Sequence, residues 1–244
     1  MIIKYWKLLL VIITTSFINP LMAKELKIAI GLSLPPYVFP DTDTGMELDV
    51  VQIIFEKLGY SIIPVYVPYA RVLTHLKGNI VQGAMTINES SGVKDVFYTD
   101  SHITYQNVAV SLTSNNFEIN NISELEQYTV LAFQNATKYL GSDFFDMSNN
   151  NPLYKETAKQ QSQVPMLYLK RYQLVVLDIN IFKYYRKNNK NYDFSLPITY
   201  HQLFPKTEYK LALTNKDLRD KFNIELLKLK ESGQYNEIMS FYVN

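Results

Sequence analysis

The sequence predicts an α/β fold with parallel strands, and three observations predict it. Residues Leu26–Arg71 read as strand, loop, helix, strand, loop, and a strand–helix–strand unit of this length joins parallel neighbours by a right-handed crossover. A second series of strands and helices follows the polar, Asn-rich stretch Thr113–Asn121. The 244 residues are 47% hydrophobic and 19% charged, which suits a packed core in one large domain or two small ones.

The N-terminus stands apart from this pattern. Lys4 and Lys7 form a basic start, Leu8–Ile18 is an apolar run, and Leu21-Met22-Ala23 offers a small residue at a cleavage point. These are the parts of a secretory signal cut after Ala23, residues 1–23. The run is short for a bilayer span, which needs about 20 residues, so cleavage is favoured over an uncleaved anchor. Cysteine is absent, which removes disulfides and a lipid-modified cysteine together. A free exported protein, periplasmic in a bacterium with two membranes, is the expectation.

The first strand, Leu26–Ile30, empties into Gly31–Pro36, where two prolines forbid helix and hold the backbone extended. Tyr37 follows on this stiff loop. The helix Leu48–Leu58 has an apolar stripe at Val50/Val51, Ile54 and Leu58, Asp49 in its first turn and Gly59 just past its end. In the strand Ser61–Val67, Pro64 argues for an edge position or a bulge. Tyr69 stands just beyond. Both tyrosines leave the carboxyl edge of the sheet, where open α/β sheets bind ligands. A helix Ala70–Lys77 closed by Gly78 and a strand Ile80–Thr86 come next, then an extended segment Phe97–Leu112.

In the second series a short helix Ile122–Gln127 precedes the strand Tyr128–Phe133, and Gln134–Thr137 turns into another helix. A strand Tyr154–Ala158 and a helix Ser162–Arg171, with Pro165 in its first turn, lead to the strongly apolar strand Gln173–Leu177. Asp178 ends that strand and could cap the helix Ile179–Asn188 or face a cleft. Leu196–Phe204 reads as irregular or extended and Glu208–Leu213 as a strand. Asn215 caps the helix Lys216–Lys230, which buries Leu218, Phe222, Leu226 and Leu229. Gly233 ends it, and a last helix covers Tyr235–Tyr242.

Several function classes find no support. The formal net charge is +1, and two lysines lie in the leader, so no basic field argues for nucleic acid. His75, His102 and His201 lack paired metal spacing. No phosphate-loop glycine pattern or nucleophile elbow occurs, and Asp41–Gly45 lacks the third ligand and the glutamate of a calcium loop. No cofactor, metal or catalytic residue is expected.

Larger motifs carry a resemblance. LPPYVF at Leu34–Phe39, the stretch Gly45–Gly59, PYARVLTHLKG at Pro68–Gly78, GAMTI at Gly83–Ile87, ISELEQYTVLAF, VVLDINIFKYY at Val175–Tyr185 and the ending NKDLRDKFNIELLKLKESGQYNEIMSFY together resemble the bacterial extracellular solute-binding proteins of family 3. The resemblance implies a two-lobed periplasmic-binding-protein fold of type II, with a mixed sheet flanked by helices in each lobe. Lobe 1 would be 24–113 plus 208–244 and lobe 2 would be 114–207. The chain would cross near Ser111–Thr113 and Lys206–Tyr209. Implied too is a monomer that closes by a hinge on a small polar solute and hands it to the permease of an ABC importer. The alternatives are a dehydratase on the same scaffold, acting on cyclic prephenate-like acids, and an orphan binding or sensor protein.

By the same resemblance Tyr37 and Tyr69 are aromatic walls, Thr86 is a hydroxyl for a ligand carboxylate, and Asp178 holds a ligand ammonium. Asn135 and Thr137 flank a turn whose N–H groups meet the carboxylate. Ser91 stands where many members carry a carboxylate-binding arginine, so Arg71 or Lys94 could supply that charge from another direction, with a surface or interlobe salt bridge as the other reading of Arg71. The identity of the ligand is left open.

Overall fold

The computed structural model describes residues 23–32 and 34–243; the expected leader up to Met22 lies outside the described residues. Its elements are β1 (Lys24–Gly31), α1 (Met46–Lys57), β2 (Tyr60–Val67), α2 (Tyr69–Lys77), β3 (Gly83–Ile87), β4 (Phe97–Tyr98) and β5 (Ile103–Leu112). A 3-10 turn at Ile122–Gln127 is followed by β6 (Val130–Phe133), α3 (Ala136–Tyr139), α4 (Ser142–Asn150), β7 (Tyr154–Thr157) and α5 (Gln163–Tyr168). The chain ends with β8 (Leu174–Asp178), α6 (Ile179–Asn188), β9 (Ile198–His201), β10 (Lys206–Leu213), α7 (Lys216–Glu231) and α8 (Gln234–Val243).

The strand order is β2-β1-β3-β10-β5-β8-β6-β7, with β4 on β10 and β9 on β5. β1 pairs in parallel with β2 and β3, and β6 with β7 and β8. Pro64 lies on β2, an edge strand, where its missing N–H leaves no hole in the ladder. The two parallel groups are joined through two antiparallel strands. β5 pairs with β10 through Ile103–Gln106 and with β8 through Asn107–Val110. β10 pairs with β5 through Lys206–Tyr209 and with β3 by its other end. The extended segment Phe97–Leu112 is therefore two strands. Thr99–His102 breaks it: the N–H groups of Thr99 and His102 bond to the carbonyls of Leu211 and Tyr209 outside the strand pairing.

Period-2 alternation in the strands divides the core. In β8, Val175 and Leu177 join Val164 and Phe182 on one face, while Leu174 and Val176 join Phe144 and Met147 on the other. Ile28 and Ile30 of β1 pack with Ile54, Phe55 and Phe222, and Ala29 faces Val72 and Leu76. Both faces of both groups are thus covered by helices, as parallel sheets require. The helix expected after Gln134–Thr137 is two helices, split at Gly141 with φ 91°. Asn121 and Asn215 cap the helices they precede, as their residue type favours.

Candidate functional site

The strand ends converge on a cavity of about 440 Å³. Gly31, Leu34, Tyr69 and Thr86 reach it from the first group, and Phe133, Gln134, Thr157, Gln160 and Ile181 from the second. Tyr105, Asn107 and Tyr209 line it from the two shared strands. Its size falls within the range of about 300–1,000 Å³ typical of small-molecule sites.

The structure places the seven expected residues in three groups. Tyr69, Thr86 and Asp178 line the cavity. Tyr69 lies over Gly31, where an added Cβ would meet the ring at 3.0 Å, so the glycine lets ring and backbone approach. Its hydroxyl donates to the Thr86 carbonyl at 2.5 Å. Thr86 is 2% exposed with φ 61°, a left-handed conformation that β-branched residues rarely adopt. Its hydroxyl donates to Glu47 Oε1 at 2.9 Å. Asp178 is the N-cap of α6: Oδ1 accepts the N–H groups of Asn180 and Ile181 at 2.8 and 3.1 Å. Its Oδ2 accepts the N–H of Gln106 at 2.8 Å, tying α6 to β5. Burial pushes the carboxyl up to about 6, against the lowering effect of the Ile181 and Gln106 N–H groups, the Tyr37 hydroxyl and the Asn180 N–H.

Tyr37 stands behind the wall. It is wholly buried and stacks on Tyr105 with ring centroids 3.7 Å apart, so Tyr105 presents the aromatic surface to the cavity. The loop that carries Tyr37 also starts α1. Its carbonyls at Pro36 and Tyr37 accept the N–H groups of Met46, Glu47 and Leu48, which have no partner within the helix.

Arg71, Asn135 and Thr137 do not line the cavity. Arg71 is exposed on the first turn of α2. The turn at Asn135 and Thr137 does meet a carboxylate, but an internal one. Glu156 accepts the Asn135 N–H at 2.7 Å and the Thr137 N–H and hydroxyl at 3.4 Å each. Ser91, at the arginine position, shares a 2.8 Å hydrogen bond with the Tyr98 hydroxyl.

Sequence reasoning missed the buried centre beneath the site. Glu47 is wholly buried, and besides Thr86 it bonds His102 Nε2 and accepts the Tyr105 hydroxyl, each at 2.9 Å. An acid in a helix's first turn reads as a dipole contact, so nothing in the pattern separates Glu47 from Asp49. Tyr105 and Asn107 did carry a signal, being two apart on one strand and therefore on one face. A run of rings follows from them: Tyr37–Tyr105, Tyr105–Tyr209 at 4.9 Å, Tyr209–Tyr139 at 5.7 Å and Tyr139–Tyr69 at 5.6 Å. Burial raises every one of these hydroxyls, so all are neutral donors.

Solved structures share this architecture. An ancestral arginine-binding protein bound to arginine superposes with TM-score 0.75 at 20% identity over 91% of this chain and 100% of that one. A histidine kinase sensor domain with similarity to periplasmic binding proteins gives 0.77 at 14% identity, covering 91% and 97%. An ancestral amino acid-binding protein, a precursor of cyclohexadienyl dehydratase, gives 0.71 at 15% identity, covering 90% and 95%. At these identities the likeness establishes the two-lobed type II fold and nothing finer. No curated protein sequence matches. The family model for bacterial extracellular solute-binding proteins, family 3, matches residues 26–244, and the chain belongs to that family.

Proposed function

We propose that this chain is a periplasmic receptor that closes on a small polar solute and delivers it to an ABC importer. The observation that carries the reading is the cavity itself, walled by residues from both strand groups and by the two strands they share. A solute touching both walls has more contacts when the lobes are shut, so it shifts the population toward closure. Lobe 1 is 24–113 plus 208–244, lobe 2 is 114–207, and β5 and β10 form the hinge between them. Tyr69, Thr86 and Asp178 are the ligand-facing residues of the expected set, and Tyr37 supports them through Tyr105. Export with cleavage after Ala23 and a monomeric state complete the proposal.

A thermal-shift screen of amino acids, amines, polyamines, sugars and small organic acids tests it. A specific solute that raises the melting temperature supports the reading, and a screen in which none does contradicts it.

The dehydratase alternative has one observation in its favour, the Asp178 carboxyl held near neutrality at the cavity wall. That carboxyl is tied down by three backbone N–H groups, which leaves it poorly placed to hand a proton to a substrate. Turnover of cyclic prephenate-like acids would reinstate the alternative.

A further inference from the structure

We infer that the cavity takes a small organic cation that carries no carboxylate, a deepening that rests on the receptor reading above. Three independent features of the site point there. The first is that donors suited to an anion are already engaged. Of the donors that line the cavity, the Thr86 hydroxyl is given to Glu47 and the Asn107 amide N–H to Thr207. A ligand carboxylate would have to break these bonds or leave its oxygens unmet.

The second is the balance of charge. No arginine lines the cavity among the described residues, and its single cationic liner, Lys159, is exposed. Asp178 stands in the wall with 1% exposure, and Glu47 lies behind Thr86 and Tyr105 with none. Glu47 is met by His102 Nε2 at 2.9 Å, so Asp178 sets the sign of the wall: a carboxylate brought out of water beside it with no guanidinium is penalised, whereas a cation is attracted.

The third is the surface on offer. Tyr69, Tyr105, Tyr209 and Phe133 present aromatic side chains to the cavity, beside Leu34 and Ile181. The faces of such rings attract a cation without needing a hydrogen bond. That matters because Asp178 Oδ1 already accepts two N–H groups and Oδ2 a third. The carboxylate therefore lends its field more readily than its lone pairs. The amide oxygen of Asn107, whose N–H is given to Thr207, offers an acceptor to an N–H of the ligand in the same cavity.

Matched pairs that differ in one carboxylate test the inference: agmatine with L-arginine, cadaverine with L-lysine, tyramine with L-tyrosine, and tetramethylammonium with glycine betaine. Each is titrated into the purified chain by calorimetry. In at least one pair the carboxylate-free member is expected to bind about tenfold or more tightly than its partner, because the site cannot satisfy the added oxygens. An acid that binds as tightly as its partner overturns the inference, and so does failure of every carboxylate-free cation to bind. In that last case a neutral solute that still raises the melting temperature leaves the receptor reading intact, while no shift from any solute removes both. Where a cation binds, Tyr69→Leu is expected to weaken it about tenfold and Tyr69→Phe clearly less, since the ring makes the contact while the hydroxyl only holds the Thr86 carbonyl. Equal loss in both variants counts against an aromatic cation site.

Discussion

The side-chain amide of Asn180 donates to the Tyr37 hydroxyl at 3.2 Å and so joins residues 143 positions apart in the chain. Tyr37 belongs to the loop that starts α1, and Asn180 to the first turn of α6. A second, longer contact, from the Ala70 N–H to Gln134 Oε1 at 3.4 Å, also links the two series. Such bonds exist only with the two walls together. Tyr37→Phe keeps the stack on Tyr105 and removes the hydroxyl. We expect a loss of about 1 kcal/mol in urea denaturation, together with a smaller closed fraction, and so a larger radius of gyration, in a solute-free chain that exchanges between open and shut forms. If both quantities match the parent, this contact does not hold the walls shut.

Glu47 gathers three partners in a space closed to water, accepting from Thr86 and Tyr105 and sharing a hydrogen bond with His102 Nε2. Glu47→Ala strands all three at once. The expected cost is on the order of 3–5 kcal/mol, the scale for breaking a buried polar network by removing one partner. Urea denaturation monitored by circular dichroism measures it. A loss within about 0.5 kcal/mol, the scale of an ordinary surface substitution, would show that the network contributes little.

Asp178 gives the folded chain a pH dependence of definite sign. Its carboxyl rises from an ordinary 3.8 to about 6 because burial disfavours the charged form. The folded chain therefore holds this proton more tightly than the unfolded chain. Below both values Asp178 adds no penalty; as pH climbs from about 4 to 6 the penalty grows to about 3 kcal/mol and then stays constant. Asp178→Asn, compared with the parent across pH 4 to 7, should flatten that part of the stability curve whatever its absolute offset. Parallel curves for parent and variant would mean that Asp178 does not titrate in this window.

Gly45 is the pivot on which the Tyr37 loop meets α1. Its φ is 135°, and an added Cβ would lie 2.3 Å from the Tyr37 carbonyl oxygen, which is backbone and cannot step aside. Gly45→Ala combines left-handed strain with a backbone clash, and each alone costs on the order of 1–3 kcal/mol. Thermal denaturation should show a clear fall in melting temperature, and an unchanged melting temperature would contradict this geometry. Gly59, with φ 79° and open space around it, is expected to tolerate the same substitution better.

Much of the architecture was legible because local rules and tertiary packing agree. The apolar stripe of α1, the edge proline of β2, the caps at Asn121 and Asn215 and the buried face of α7 follow from spacing and residue type. The break between β4 and β5 was missed because the β-rich flanks Phe97–Tyr98 and Ile103–Leu112 outweighed the turn-type pair Asp100-Ser101 between them. At the site, the chain positions of Tyr69, Thr86 and Asp178 at strand ends were sufficient to bring them to the cavity. Position does not reveal what else will reach the same atoms. That Glu156 would fill the turn at Asn135, or that Tyr105 would screen Tyr37, depends on pairing between β6 and β7 and on the path of β5, both long-range. Asp178 shows both of its readings at once, a helix cap and a cavity wall.

Solution scattering on the purified chain, alone and then saturated with whichever solute gives the largest thermal shift in the screen, reads closure of the lobes itself. A smaller radius of gyration is expected on saturation as the lobes turn about β5 and β10. A solute that binds tightly while the profile stays the same, and whose binding survives Tyr69→Leu, would contradict this closure.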